Sequence, residues 1–266
     1  LGEDGTIHHS NGTTFTPVAQ SAGALGLVSI APGDVFLAGP TGPLTCNSGC
    51  RASGSIFDPG TVNIPNPLGA GICAGAAGVF FTTNQTSVGN TGVFHYTSGL
   101  WNRVWFGSNV NSLRGCFVTA SGDVYALGRS ELMRTSADAG WTEVSTGFST
   151  DYWVAGTATD AGLLIGGEGW RIATREGSGT TWTRVTNLDA GTVRAVVRLG
   201  DGDDVLVAGS FENGRSVVTR TAGVWRPVPA AAIDVHGAWA LGPTEVFLAG
   251  EALDGGGARL LHGNWR

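Results

Sequence analysis

Four side chains that could bind a polar ligand stand at matching places in a repeated sequence pattern. Each precedes a short apolar segment by about nine residues, and the four are Arg114, Trp153, Arg194 and His236. Glu168 and Trp170 follow one of the same segments. Guanidinium, indole and imidazole groups that converge on a concave surface are suited to binding a carboxylate or a sugar. We therefore expect these six residues to contact a ligand. The alternative is that they fill the centre of the fold and bond backbone groups there.

Carboxylates follow several of the apolar segments and raise the question of catalysis. They include Glu168, Glu212, Glu251 and Asp254. Two such groups about 5–10 Å apart could cleave a glycosidic bond, but the sequence does not supply the distance. No phosphate-binding loop, paired zinc-ligand motif or nucleophile elbow is present, so we expect no metal and no cofactor. The sequence favours a non-catalytic protein, with a glycan-cleaving hydrolase or lyase as the alternative.

The four cysteines bear on the compartment of the protein. Cys46 and Cys50 flank a short polar loop, and this spacing predicts a small disulfide ring. Cys73 and Cys116 occupy corresponding parts of successive repeats, where we expect buried free thiols. A disulfide indicates an oxidising environment, so the sequence predicts an extracellular or periplasmic location.

The apolar segments themselves repeat along the whole chain. They begin at residues 34, 78, 123, 162, 204 and 245, so their spacing is 39–45 residues. A period of this length that carries several short strands is typical of the blades of a β-propeller. We name the four strands of each repeat A to D, and the apolar segment is strand B. The third repeat predicts strands at Arg114–Thr119, Asp123–Gly128, Glu131–Thr135 and Trp141–Val144.

The turns between strands C and D form a second repeated series. Ser136, Asp138, Gly140 and Trp141 approach the S-x-D-x-G-x-T-W hairpin, and here the chain resembles the Asp-box (bacterial neuraminidase repeat) propellers and the related YCF48-like propellers. The resemblance implies a bacterial propeller in which an aromatic residue seals each blade against its neighbour. The residues in that position are Trp101, Trp141, Trp182, Trp225 and Trp265.

The repeats predict one all-β propeller domain over residues 1–266. Gly5–Ser10 and Phe15–Val18 read as strands C and D of a further repeat, which favours seven blades. In the six-blade alternative, Phe15–Val18 supplies the missing strand D of the last repeat. Residues 40–68 contain proline and cysteine and depart from the pattern, so we interpret them as a divergent loop segment within the domain.

Composition narrows the choice of partner. The chain has no lysine, so all 15 of its basic residues are arginine, and its net charge is −6. The basic residues form no cluster, which argues against a nucleic-acid partner. No apolar run is long enough to span a membrane. The sequence therefore predicts a secreted, lectin-like binding module for a glycan or a protein. A structural subunit of a surface assembly is the remaining alternative.

Overall fold

A computed structural model describes most of the chain. The described residues are 6–10, 15–20, 26–31, 34–39, 42–46, 50–52, 56–57, 69–83, 91–107, 113–129, 131–136, 140–148, 151–169, 171–185, 191–211, 217–228 and 233–264. The chain divides into unit 1, Leu1–Val144, and unit 2, Ser145–Arg266. Each unit is described by itself.

The described part of unit 1 consists of antiparallel sheets with one parallel addition. The strands are β1 (Thr6–Ser10), β2 (Phe15–Gln20), β3 (Gly26–Ala31), β4 (Asp34–Gly39), β5 (Gly42–Cys46), β6 (Cys50–Ala52), β7 (Ile56–Phe57), β8 (Gly69–Gly75), β9 (Gly78–Thr83), β10 (Thr91–Thr97), β11 (Leu100–Gly107), β12 (Gly115–Val118), β13 (Val124–Leu127), β14 (Glu131–Ser136) and β15 (Gly140–Ser145). The sheet orders are β1-β2, β3-β4-β5-β6, β7-β11-β10-β9-β8 and β12-β13-β14-β15.

Unit 2 repeats the same four-strand arrangement. Its strands are β16 (Trp153–Thr159), β17 (Gly162–Gly167), β18 (Arg171–Glu176), β19 (Thr183–Val185), β20 (Gly191–Arg198), β21 (Val205–Phe211), β22 (Val217–Thr221), β23 (Val224–Pro227), β24 (Ile233–Ala240), β25 (Glu245–Ala252) and β26 (Ala258–Asn264). They form two four-stranded sheets, β16 to β19 and β20 to β23, and a three-stranded sheet, β24 to β26.

The predicted repeat is confirmed as a series of antiparallel meanders. The strands β4, β9 and β17 have the bounds of three predicted B strands, and the four strands predicted for the third repeat appear as β12 to β15. Strand β17 has the burial pattern of a strand covered on both faces, since Leu163 through Gly167 are all buried. Such strands read as continuous apolar runs, which is why the repeat is visible in the sequence.

The divergent segment 40–68 contributes strands to two sheets. It supplies β5 and β6 to the β3-to-β6 sheet. It then supplies β7, which pairs in parallel with β11, placing Ile56 opposite Trp101 and Phe57 opposite Asn102. The rest of the segment, including residues 58–68, lies outside the described residues.

A shared irregularity marks the start of several A strands. The pairing of β16 with β17, β20 with β21 and β24 with β25 shifts by one residue, and the extra residues are Val154, Arg194 and His236. Each is a β-bulge, in which two residues on one strand oppose one residue on the other. At the bulge a backbone carbonyl lies against the glycine that ends the apolar segment of strand B: a Cβ on Gly209 would lie well inside 3.0 Å of the Thr192 carbonyl oxygen. The two backbones can therefore approach this closely only because the residue that ends the apolar segment is glycine.

Apolar side chains from adjacent sheets pack together. One core joins Leu164 and Ile172 to Val205 and Val207, with Trp225 packed against it. In unit 1, Trp101 is fully buried with Phe36 and Phe81. These contacts agree with the structural role predicted for the turn tryptophans, although Trp265 lies outside the described residues.

The expectation of free thiols at Cys73 and Cys116 is wrong. The two residues form a disulfide with a Cα–Cα distance of 5.6 Å. Cys73 lies on β8 and Cys116 on β12, the A strands of neighbouring sheets. Corresponding positions on adjacent A strands face each other closely enough for a bond.

The described residues form strands and turns. Within these ranges the chain has no helix with the length and apolarity of a membrane span.

Candidate functional site

Two predicted ligand-binding residues occupy equivalent places in unit 2. Arg194 and His236 are the bulge residues of β20 and β24, which are neighbouring A strands. Both side chains are exposed. They lie on the side of unit 2 where the D-to-A and B-to-C connections run, which we call the loop face. A bulge turns a side chain out of the regular alternation of the strand, so it can present a charged group that a regular position would bury.

The third predicted residue lies one position before the bulge of its strand. Trp153 is fully buried, and its ring centre lies 6.0 Å from that of Phe148. Val154 holds the position in β16 that Arg194 and His236 hold in β20 and β24. The residue before each bulge points into the core, as Val193 and Val235 also do. Trp153 is therefore a core residue, and its indole face is not open to a ligand.

A carboxylate accompanies His236. Asp234 Oδ2 lies 3.5 Å from His236 Nε2, with the two side chains 27% and 48% exposed, respectively. The other oxygen of this carboxylate, Oδ1, is buried and meets no hydrogen-bond donor among the described residues. Buried polar atoms usually have a partner, so this oxygen is a position where a donor from water or a ligand is expected.

Glu168 lies beside the neighbouring A strand. Its backbone N–H donates to the Tyr152 carbonyl oxygen at 2.9 Å, and it forms an isolated antiparallel bridge with Thr192. Thr192 is two residues before Arg194, as Asp234 is two residues before His236. The loop face thus combines Glu168, Arg194, Asp234 and His236. Trp170, predicted as part of this group, lies outside the described residues.

Arg114 belongs to unit 1. It is half-buried, and its backbone N–H donates to the Leu127 carbonyl oxygen at 2.7 Å, just before β12 begins. The residue before it, Leu113, is buried like Val193 and Val235. Arg114 therefore matches the bulge residues of unit 2 in chain position.

An ionic cluster that the sequence did not indicate lies near the start of β16. Asp151 is fully buried, and its carboxylate binds Arg171 through Oδ1 and Arg184 through Oδ2, the latter at 2.5 Å. The Arg184 guanidinium also lies 4.7 Å above the Phe148 ring. The acid precedes β16 and the two arginines belong to β18 and β19, so the contacts are distant in sequence. We find no local motif that predicts them.

The carboxylates considered for catalysis come from different sheets. Asp254 accepts from the Gly256 N–H at 3.0 Å and pairs with Arg259 at 3.3 Å in its own hairpin. Glu168 follows β17, whereas Glu251 lies near the end of β25. Glu212 lies outside the described residues. Among described residues there is no group of three or more His, Cys, Asp or Glu side chains that could hold a metal ion.

Cys46 and Cys50 face each other in the backbone. They are direct partners at the end of the β5–β6 hairpin. This register fits the predicted disulfide, which stays a prediction.

No family model matches this chain, and neither does any curated protein sequence. Solved structures do match. YCF48 bound to a D1 peptide is 15% identical with a TM-score of 0.65, covering 92% of this chain and 78% of that one. Virginiamycin B lyase from Staphylococcus aureus is 14% identical with a TM-score of 0.71, covering 96% and 87%.

These neighbours are β-propeller-like proteins. Another is the extracellular domain of the hybrid two-component system BT4673 from B. thetaiotaomicron, 12% identical with a TM-score of 0.65, covering 97% of this chain and 35% of that one. At these identities the likeness shows the fold, a propeller repeat, and leaves function to the site itself.

Proposed function

We propose that this chain is a non-catalytic recognition module that binds a segment of a protein partner on the loop face of unit 2. The observation that carries the proposal is the repeated bulge that exposes Arg194 and His236 on neighbouring A strands. Arg194 makes no ion pair with any described residue. A guanidinium group in this setting can bind a carboxylate through two hydrogen bonds.

The polar groups of the loop face suit a peptide. Arg194 offers donors to an acidic group, whereas the partly exposed carboxylate of Asp234 offers an acceptor. A peptide carries both kinds of group in its backbone and side chains. The burial of Trp153 removes the exposed indole on which a sugar ring would have stacked. A glycan ligand is therefore the second candidate, and Trp170 is the aromatic residue that would support it.

The compartment and the number of blades belong to the same proposal. The Cys73–Cys116 disulfide favours an oxidising, extracellular location, and one structural neighbour is an extracellular domain.

In the described residues, β2 pairs with β1 and β26 pairs with β25. This pairing favours β1 and β2 as parts of a further blade, and hence seven blades, over Phe15–Val18 as the fourth strand of the last sheet.

The test is selection of binding peptides from a random phage-display library on the immobilised protein. We expect enriched peptides with acidic residues. The double variant Arg194→Ala/His236→Ala should weaken their binding about tenfold or more. The matched control is Arg226→Ala, which removes an exposed arginine on β23, and it should leave affinity unchanged.

A parallel arm distinguishes the alternatives. The protein is incubated with immobilised polysaccharides, and retention and released sugar are both measured. Retention without enriched peptides would replace the protein partner by a glycan, and released sugar would overturn the non-catalytic proposal. Large oligomers in light scattering, without either kind of ligand, would favour the surface-assembly alternative.

A further inference from the structure

A second polar site lies at the opposite end of the unit 2 sheets. A small open cleft is bordered by Thr159, Thr174, Arg175, Glu176 and Arg220, with about 190 Å³ of space not filled by protein atoms, including the solvent at its mouth. These residues surround the A-to-B and C-to-D turns, which we call the turn face. Strand β17 separates it from Glu168 by about 20 Å, at roughly 3.3 Å per residue.

Two arginines from neighbouring sheets meet at the cleft. Arg175 is on β18 and Arg220 is on β22, the C strands of adjacent sheets. The Arg175 guanidinium carbon lies 5.4 Å from the ring centre of the buried Trp182. A cation–π contact of this kind restricts the guanidinium group to a narrow range of positions. Arg220 is half-buried, so its charge is partly removed from water.

Three acidic residues of the surrounding turns have partners of their own. Asp203 Oδ1 accepts from the Ala161 N–H at 2.5 Å, and Asp204 Oδ1 accepts from the Ala222 N–H at 3.1 Å. Asp160 pairs with Arg198 at 2.6 Å. Arg220 makes no ion pair with any described residue. Two arginines and the single carboxylate of Glu176 leave the cleft lining with a net positive charge.

We propose that this cleft binds an oxyanion of the phosphate or sulfate type, either as a free ion or as a terminal group of a larger molecule. Guanidinium groups match such oxygens in geometry and charge, and two of them can hold separate oxygens of one tetrahedral anion. The Thr174 hydroxyl, which has no hydrogen-bond partner among the described residues, supplies a further donor. Thr159 does not, because its hydroxyl donates to the Gly162 carbonyl oxygen at 3.4 Å. The site is independent of the loop face.

The test is titration of the whole protein with inorganic phosphate at constant ionic strength, followed by calorimetry, with potassium chloride as the reference. We expect saturable binding that Arg220→Gln weakens at least tenfold. Arg226→Gln is the matched control, because Arg226 is an exposed arginine on the adjacent strand β23 and does not border the cleft. It should bind phosphate like the unsubstituted protein.

A second variant keeps the test decisive if Arg220→Gln fails to fold. Glu176 is exposed, and Glu176→Gln removes the negative charge of the cleft, so phosphate should bind about two- to five-fold more tightly. Titration with O-phosphoserine separates the two sources: tighter binding than phosphate indicates a group on a larger molecule, and weaker binding indicates the free ion. Non-saturable heats, or equal heats with chloride, would overturn the proposal, as would phosphate binding that neither substitution alters.

Discussion

Asp151 holds a negative charge where it has no exposure to solvent, and two guanidinium groups bind its two oxygens. Arg171 and Arg184 keep 34% and 41% of their side-chain exposure. The buried member of the cluster is thus the acid. The cluster ties the residue just before β17's partner strand β16 to β18 and β19 of the same sheet.

We predict that Asp151→Ala lowers the free energy of unfolding by about 2–4 kcal/mol, because it removes one side of a buried ion cluster. Asp160→Ala is the control: Asp160 also pairs with an arginine, but it is 68% exposed and should contribute no more than about 1 kcal/mol. Urea unfolding monitored by circular dichroism gives both values. Equal effects of the two substitutions would contradict a structural role for the cluster.

His95 is a titratable group whose surroundings clearly alter its pKa. Its ring stacks on Phe80 with centres 4.4 Å apart, and Thr97 Oγ1 lies 3.3 Å from its Nδ1. Burial lowers the pKa of His95 below the ordinary value of 6.5, partly opposed by a hydrogen bond with the Ala77 backbone. As the pH falls through 6.5, the unfolded chain takes up a proton that the folded chain resists.

The contribution of His95 to the free energy of unfolding is therefore fully present above about pH 6.5. It is lost as the pH falls through the pKa of His95 in the folded protein, which is lower than 6.5. We expect the midpoint of thermal unfolding to decrease between about pH 7.5 and pH 5.5. His95→Gln should reduce that decrease, since glutamine does not titrate. The same pH dependence in both proteins would show that other groups cause it.

The residues of the candidate site show what sequence spacing can and cannot resolve. Counting about nine residues back from the start of strand B identified the exposed bulge residues Arg194 and His236. In β16 the same count identified the buried Trp153 in place of Val154. All three strands carry the bulge, so the cause is the length of the turn between strands A and B. Only Asp160 and Ala161 join β16 to β17, whereas longer turns join β20 to β21 and β24 to β25, so the same count from strand B ends one residue before the bulge in β16. The role of Asp151 was not predicted for a different reason, because only the fold brings its arginine partners close to it.

At the scale of elements, the bulge and the glycine opposite it form one structural unit that recurs in unit 2. Gly167, Gly209 and Gly250 each end an apolar segment of a B strand. Each lies against a carbonyl oxygen just before the bulge of the paired A strand. The strands themselves were predictable because apolar runs, glycine and turn residues alternate on a fixed period. Strand β7 was not, since two residues that pair in parallel with a distant strand leave no local pattern.

We predict that Gly209→Ala destabilises the protein by about 1–3 kcal/mol, because the added methyl group meets the Thr192 carbonyl oxygen and the backbone must shift. Gly237→Ala is the matched control on the neighbouring sheet, where a Cβ would have nothing within 4 Å. It should change the free energy of unfolding by no more than about 0.5 kcal/mol. Denaturant midpoints measured on both variants decide the question, and a larger loss at Gly237 would refute the proposed role of the bulge.

At the scale of the molecule, the repeat predicted the sheet architecture, whereas the pairing of Cys73 with Cys116 required the spatial arrangement of β8 and β12. We predict that Cys73→Ser/Cys116→Ser lowers stability by up to about 4 kcal/mol, the chain-entropy value for the loop that the bond closes. Cys46→Ser/Cys50→Ser, which opens the much shorter predicted ring, should lower it by about 2 kcal/mol. Guanidinium unfolding without reductant measures both. A stability unchanged from that of the unsubstituted protein in the first variant would contradict the disulfide.

The covalent link between Cys73 and Cys116 also changes what a protease can do to the chain. The sequence separation of these cysteines is 43, so one cut anywhere between them leaves two fragments that are still attached. Such a nicked molecule would migrate intact on a gel until a reducing agent separated its parts. Outside the cell, where proteases are common and reductants are scarce, a single cleavage in this region would cost the protein no piece of its structure.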